Sequence, residues 1–333
     1  MGSAEPTVSV IIPTYNCAPY VAAAVESALS QTYRPIEVIV VDDGSTDDTT
    51  AVLRGYAGRI AALSRPNAGA AAARNAGVRH AKGEFLAFLD ADDLWMPRKL
   101  ERQMPLFTEY PEVGLAFTDG STFDASGEIK PSALKGMAPY FDRVRPWLQA
   151  GDRDGVVVRP AYPDLLFGNF VLPAGVVVRR TCLEAVGGFD EGLAVCEDYD
   201  LWLRMAQRSP FALVNEVLIR VRNRPESLGG PRATRGQRFF ETEWRVRERY
   251  LPAAGPQVQR ALRRAKSDAF LRNGWRELDA GHLGPARTAF WRSLRSARQR
   301  DALLYLMATL LPGWAIRRLR KAGEARPAVS GNG

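Results

Sequence analysis

The stretch GEFLAFLDADDLWMP, residues 83–97, decides the fold. Phe85 to Leu89 is an unbroken apolar run of strand length, the pattern of a strand covered on both faces. It stops at Asp90-Ala91-Asp92-Asp93, where three carboxylates fall within four residues. Such a group repels itself unless a cation sits among it, and hard divalent metals take carboxylate oxygens. The alternative is an Asp-rich turn that only caps the following helix. Neighbouring stretches decide between the two.

Upstream, Val8 to Pro13 reads as a strand stopped by proline, followed by Thr14-Tyr15-Asn16. Pro19 opens a helix with Val21, Val25, Ala28 and Leu29 on one face. Ile36 to Val41 is a second apolar strand, interrupted only by Glu37 and ending in Asp42-Asp43-Gly44-Ser45. A short strand near Ile60–Leu63 leads through Asn67-Ala68-Gly69 into a small-residue helix over Ala70–Ala81. Strand and helix alternate, and the strands are buried, so the class is α/β, with a parallel sheet covered by helices on both faces. In such sheets ligands bind beyond the carboxyl ends of the strands. Tyr15, Asp42, Asp43 and Asp90 to Asp93 all fall at that one edge, which favours the ligand reading of the acidic turn. Arg74 is a cation at the same edge. There is no G-x-G-x-x-G and no G-x-x-x-x-G-K-[ST], so phosphates here meet metal and isolated cations rather than a glycine cradle.

The whole chain sets the limits. Its 333 residues at 46% hydrophobic are ample for a large core. Three widely spaced cysteines, Cys17, Cys182 and Cys196, without a CxxC, predict a reducing compartment with neither disulfide frame nor zinc site. Two histidines, His80 and His282, disfavour a His-based metal site or Ser-His-Asp triad. Val8 to Ile12 is too short for a signal peptide, and no stretch reaches the roughly 18–20 apolar residues of a spanning helix. Charge is lopsided: residues 231–333 hold 22 Lys and Arg against 8 Asp and Glu, a net of +14, while residues 1–230 carry −6 of the overall +8. A basic tail on a slightly acidic body points to an anionic surface.

VSVIIPTYN, VVDDGSTDDT, NAGAAAARNAG and GEFLAFLDADD, in this order and spacing, resemble the nucleotide-sugar half of family 2 glycosyltransferases of the bacterial, inverting type. The resemblance implies a GT-A fold: a Rossmann-like, mixed, mostly parallel sheet with helices on both faces, here with an α-helical C-terminal extension. The change to arginine-rich composition and basic charge puts a boundary at residue 230: the resemblance implies a catalytic domain over 1–230 (nucleotide-sugar half 1–120, acceptor half 121–230), and a basic helical region over 231–333 follows. The resemblance further implies that Asp43 accepts the N3–H of a uracil-type base, with Tyr15 against the ring. Pro13, Asn67, Gly69, Arg74 and Ala91 then line the donor site. Asp92, helped by Asp90, holds Mn2+ or Mg2+ on the diphosphate. A carboxylate is a strong acceptor for an imide N–H, and a metal bridging two phosphates offsets charge on a leaving group.

Ala125 to Gly168 has little periodicity and reads as acceptor-side loops and short helices, and Ala174–Arg179 as a strand. Cys196-Glu197-Asp198-Tyr199-Asp200-Leu201-Trp202-Leu203-Arg204 is by itself an amphipathic helix whose acidic first turn complements the helix dipole. In the resembling family the Glu-Asp pair at this place supplies the catalytic base. Asp198 is therefore the expected base and Glu197 its support, with Trp202 in the substrate-binding set. One base takes the acceptor hydroxyl proton and one metal steadies the departing diphosphate. A single displacement inverts the anomeric centre. Val221 to Leu228 resembles the family stretch that often has a histidine near the metal, but Arg224 stands there. It contacts phosphate directly or is a surface arginine.

Phe239–Tyr250, Gln257–Leu278 and Gly284–Ala297 read as helices. Ala302–Ile316, apolar and followed by Arg317-Arg318-Leu319-Arg320-Lys321, suits an in-plane helix on an anionic membrane, or a core helix with a solvated basic end. The last dozen residues read as disordered. The expected partners are a nucleotide-sugar donor and a glycan or lipid-linked acceptor, in surface polysaccharide or glycolipid assembly on the cytoplasmic side of a membrane. A nucleotidyltransferase normally needs a glycine- and lysine/arginine-rich phosphate loop where this chain has Pro13-Thr14-Tyr15-Asn16-Cys17. A nucleic-acid module lacks a motif, and the acidic edge repels phosphate without metal, so no nucleic-acid partner is expected.

Overall fold

The strand β1 (Val8–Thr14) is the spine of the sheet. It pairs in parallel with β2 (Ile36–Asp42) along its whole length and with β4 (Phe85–Phe88) from Val8 to Ile11. β3 (Ala61–Ser64) adds in parallel beyond β2. Because side chains alternate across a strand, β1 feeds both faces of the sheet. Val8, Val10 and Ile12 enter the core with Val21, Ala24, Val25 and Ala28 of α1 (Ala18–Leu29). Ile11 points to α3 (Ala70–His80) on the other face, and a Cβ on Gly77 would lie 2.4 Å from its Cγ2. Only glycine lets that helix approach so closely. The short α2 (Thr49–Arg54) follows β2. This computed structural model describes residues 7–136, 146–148, 155–224, 233–297 and 300–309.

Past β4 the direction changes. β9 (Val177–Arg179) runs antiparallel between β4 and β6 (Leu115–Asp124), and β10 (Phe211–Arg222) lies parallel to β6. β5 (Leu94–Trp95) closes that edge antiparallel to β10. β7 (Gly127–Lys130) hangs on β6 and β8 (Val156–Arg159) on β10, completing a ten-stranded mixed sheet in the order β3-β2-β1-β4-β9-β6-β10-β5. The expectation of loops and short helices over 125–168 is thus corrected: β7 and β8 lie there beside α5 (Ala133–Gly136) and α6 (Tyr162–Leu165). The strand expected from Ala174 is shorter, because Pro173–Gly175 form a 3-10 turn before β9. α4 (Lys99–Glu109), α7 (Arg180–Glu184) and α8 (Glu197–Ala206) complete the body with α9 (Ala233–Tyr250).

The chain divides into two compact units at Leu251/Pro252, some twenty residues later than the change of composition. The reason is α9, whose charged groups find partners in the first unit. Arg247 Nε donates to Tyr199 Oη at 3.1 Å and Tyr250 Oη to Asp200 Oδ1 at 2.7 Å. In the second unit, α10 (Pro256–Asp279) and α11 (Leu283–Ala297) pair through a close approach of Gly274 to Phe290. Ser267 Oγ donates to Ser293 O at 2.8 Å. Leu278, Ala286 and Phe290 form the core, with Trp275 and Tyr305 packed on it. α12 (Arg300–Ala308) contains the first part of the expected Ala302–Ile316 helix. Residues 310–316, the basic run after them and the last dozen residues lie outside the described residues. Among the described residues, no helix is long and apolar enough to cross a membrane.

Candidate active site

Three loops meet beyond the carboxyl ends of β1, β2 and β4. In the first, Asn16 takes a positive φ of 50° and is tied to the second: its N–H donates to Ser45 Oγ at 2.9 Å, and its Oδ1 accepts Thr46 N–H at 2.8 Å. This tether leaves the adjacent Tyr15 ring 48% exposed, a free apolar face at the rim. Asp43 is buried, and its carboxylate accepts the backbone N–H groups of Ala68 at 3.1 Å and Gly69 at 2.7 Å. Arg65 lies 3.3 Å away. Asp43 therefore fixes the loop that starts α3, with lone pairs to spare for one more donor. Asn67 and Gly69 stand exposed on that loop, Pro13 is half-buried within β1, and Ala91 is buried at the floor.

The acidic turn after β4 receives an arginine at each step. Arg74, 4% exposed on α3, gives Nη2 to Asp90 Oδ1 and Nη1 to Glu197 Oε1, both at 2.6 Å. Arg224 Nη2 lies 2.7 Å from Asp92 Oδ2. Arg222 gives its backbone N–H to Asp93 Oδ1 at 2.8 Å and its Nε to Asp92 O at 3.0 Å. Burial disfavours charge on Arg74, but Asp90 and Glu197 outweigh it and hold the guanidinium firmly protonated. Burial, and then the charge of Asp90, push the Asp92 carboxyl upward even against Arg224. The same causes, joined by Asp92, raise Asp93 further. The turn offers an all-oxygen donor set of the kind that fits Mn2+ or Mg2+. Among the described residues no group of three or more candidate ligands converges. An ion here would take Asp92 and Asp90 from the protein and its remaining ligands from phosphate or water.

Across the sheet, α8 starts from Cys196, which adopts the left-handed conformation at φ 64°. Glu197 is buried against Arg74, while Asp198 is half-buried and accepts Asn169 Nδ2–H at 2.9 Å on Oδ2. Burial first, and the charge of Glu197 second, push the Asp198 carboxyl up to about 7, against Arg74 and the Asn169 bond. A carboxylate so poised is a base near neutral pH.

The family described as Glycosyl transferase family 2 matches residues 9–155. Residues 9–155 carry a family 2 glycosyltransferase domain. The chain is 33% identical over 219 residues to an uncharacterized glycosyltransferase of Rickettsia typhi, covering 66% of this chain and 64% of that one. Among solved structures it resembles S. aureus TarS, with a TM-score of 0.61 at 18% identity, over 91% of this chain and 53% of that one. It also resembles the mannosyltransferase PcManGT of Pyrobaculum calidifontis, with a TM-score of 0.55 at 20% identity, over 96% and 85%. At these identities the structural likeness shows the fold, the mixed α/β sheet of GT-A glycosyltransferases.

One sequence expectation is corrected. Trp202 is fully buried and donates its indole N–H to Val171 O at 3.2 Å, so it packs beneath the site and is closed to substrate. Arg74 lies at the expected edge, buried between Asp90 and Glu197 and paired with both. Asp93 was read as the third acid of the turn, though without a role of its own. Asn169 and Arg222 went unread and carry no local signal, since each acts through a partner far along the chain.

Proposed function

We propose that the chain is an inverting, metal-dependent glycosyltransferase that moves a sugar from a UDP- or dTDP-type donor to a hydroxyl of a glycan or lipid-linked acceptor. The observation that carries this reading is the Asp198 carboxyl, held by Asn169 and joined through Glu197 and Arg74 to the acidic turn at Asp90. In the proposed step the acceptor oxygen bonds to the anomeric carbon as its proton passes to Asp198. The bond from that carbon to the diphosphate oxygen breaks, and its electron pair leaves with the nucleotide. Arg74 holds Glu197 so that Asp198 keeps its orientation, and no second nucleophile is needed. Tyr15 supplies a stacking face for the base, and Asp43 an acceptor for an imide N–H. When bound by Asp92 and Asp90, Mn2+ or Mg2+ would neutralise charge on the leaving diphosphate.

The relatives' ligands support the substrate class. One solved TarS form is in complex with UDP-GlcNAc, and PcManGT with GDP-Man and Mn2+. We read the base here as a pyrimidine from Asp43. Peripheral membrane association belongs to the same reading: Leu303, Leu304 and Met307 of α12 are 48%, 64% and 57% exposed, in the most basic part of the chain. The test is turnover across a panel of nucleotide sugars, with and without Mn2+, for wild type, Asp92→Ala and Asp198→Asn. One donor is expected to turn over only with metal. Both variants should lose activity, while Asp198→Asn still binds donor. Turnover surviving Asp198→Asn removes the base assignment.

A further inference from the structure

Asp92 does not stand ready for a metal. Arg224 already lies against its Oδ2 at 2.7 Å. The arginine sits just beyond β10, its guanidinium 5.0 Å from the centre of the Tyr20 ring, and its Nε is buried without a hydrogen-bond partner among the described residues. A buried N–H left unpaired costs roughly 1–3 kcal/mol, so the guanidinium is held where one of its donors is unspent. Arg222 prevents the turn from swinging away, since it holds Asp92 through the main-chain carbonyl and Asp93 through the carboxylate. The result is a cation and an anion locked together where an ion would otherwise sit. Arginine suits two partners in turn, because its planar fork matches carboxylate and phosphate alike and it stays charged at every working pH.

We infer that Arg224 is a built-in counter-cation, pairing with Asp92 in the donor-free enzyme and passing to the donor's diphosphate oxygens on binding, which frees Asp92 for the divalent ion. This rests on the reading of Asp92 as the metal ligand. Its consequence is coupled binding: the ion competes with Arg224 when no nucleotide is present, and the competition ends when the diphosphate arrives. The coupling is reciprocal, so the ion strengthens nucleotide binding by the same factor.

The experiment is Mn2+ binding to the full chain, followed by the electron paramagnetic resonance of bound and free ion, with and without UDP or dTDP. Wild type, Arg224→Ala, Arg224→Lys and Asp92→Asn are compared after matched circular dichroism. Without nucleotide, Arg224→Ala should bind Mn2+ about 5- to 10-fold tighter than wild type, and Arg224→Lys should stay near wild type. With nucleotide, wild type should gain about 10-fold or more and Arg224→Ala clearly less. Wild-type Mn2+ affinity in Arg224→Ala under both conditions overturns the inference while leaving the metal reading intact. So does a wild-type affinity that nucleotide leaves unchanged, a result that needs no variant to fold. If wild type binds no Mn2+ with any nucleotide, or Asp92→Asn binds it equally well, the metal reading falls and takes this inference with it.

Discussion

Asp198 keeps its proton in the folded chain up to about 7, whereas the free side chain releases it near 3.8. Between those values the folded state binds more protons than the unfolded one, so stability falls as pH rises, and the loss is complete above about 7. Turnover runs the other way, because the base acts only when deprotonated. Wild-type kcat/KM should therefore climb with unit slope and level off above about 7. Asp198→Asn should abolish that limb with a fall of about 100-fold or more in kcat. It should also stabilise the protein by about 1–3 kcal/mol at pH 8 and by little at pH 4. Denaturant melts at both values check this, and equal effects at the two pH values would sink it. At this scale the motifs made Asp43, Asp92, Glu197 and Asp198 legible. Depth was not legible: nothing local tells that Arg74 is buried between Asp90 and Glu197 rather than in solvent. Trp202 belongs to an apolar stripe with Tyr199 and Leu203 that reads equally as wall or floor.

Helix α3 positions Arg74 through its contact with β1, and Gly77 lies one turn further along the same face. Alanine at 77 would place a methyl 2.4 Å from Ile11 Cγ2, which forces the helix off the strand and moves Arg74 away from Asp90 and Glu197. Gly77→Ala should cost about 1–3 kcal/mol and lower kcat. Ile11→Ala in the same chain should recover part of both losses. A double-mutant cycle measures this, and additive costs would refute the contact as the cause. The βα units up to β4 were readable because buried parallel strands are continuous apolar runs. β6 and β10 were not. Thr118 to Ser121 interrupt β6 with polar residues whose partners come from elsewhere, as when Asp119 accepts the Ser132 hydroxyl at 2.5 Å and Leu134 N–H at 3.0 Å. In β10 the register shifts between Val214 and Ile219, around Asn215 and Glu216, so alternation fails at its middle.

For the whole molecule, the basic second unit offers a test of the membrane proposal. The full chain should co-float with vesicles containing anionic lipid, less so as salt rises. Leu304→Glu with Met307→Glu should reduce flotation without altering soluble donor binding. Flotation unchanged by the pair would remove α12 as the contact. Composition alone placed the boundary at residue 230, since it sees the arginines of α9 but not that Arg247 and Arg249 are engaged with Tyr199, Asp190 and Asp200. In the first unit, β9 lies between β4 and β6, and the buried Arg74 touches both the acidic turn at Asp90 and the start of α8 at Glu197. On the proposed reading, in which the turn serves the donor and α8 the acceptor, Arg74 is the fitting between the two sides. A transplanted acceptor portion works in this scaffold only if it brings an acid at position 197; without one, the graft inherits a buried, half-paired cation and fails before its specificity can be tried.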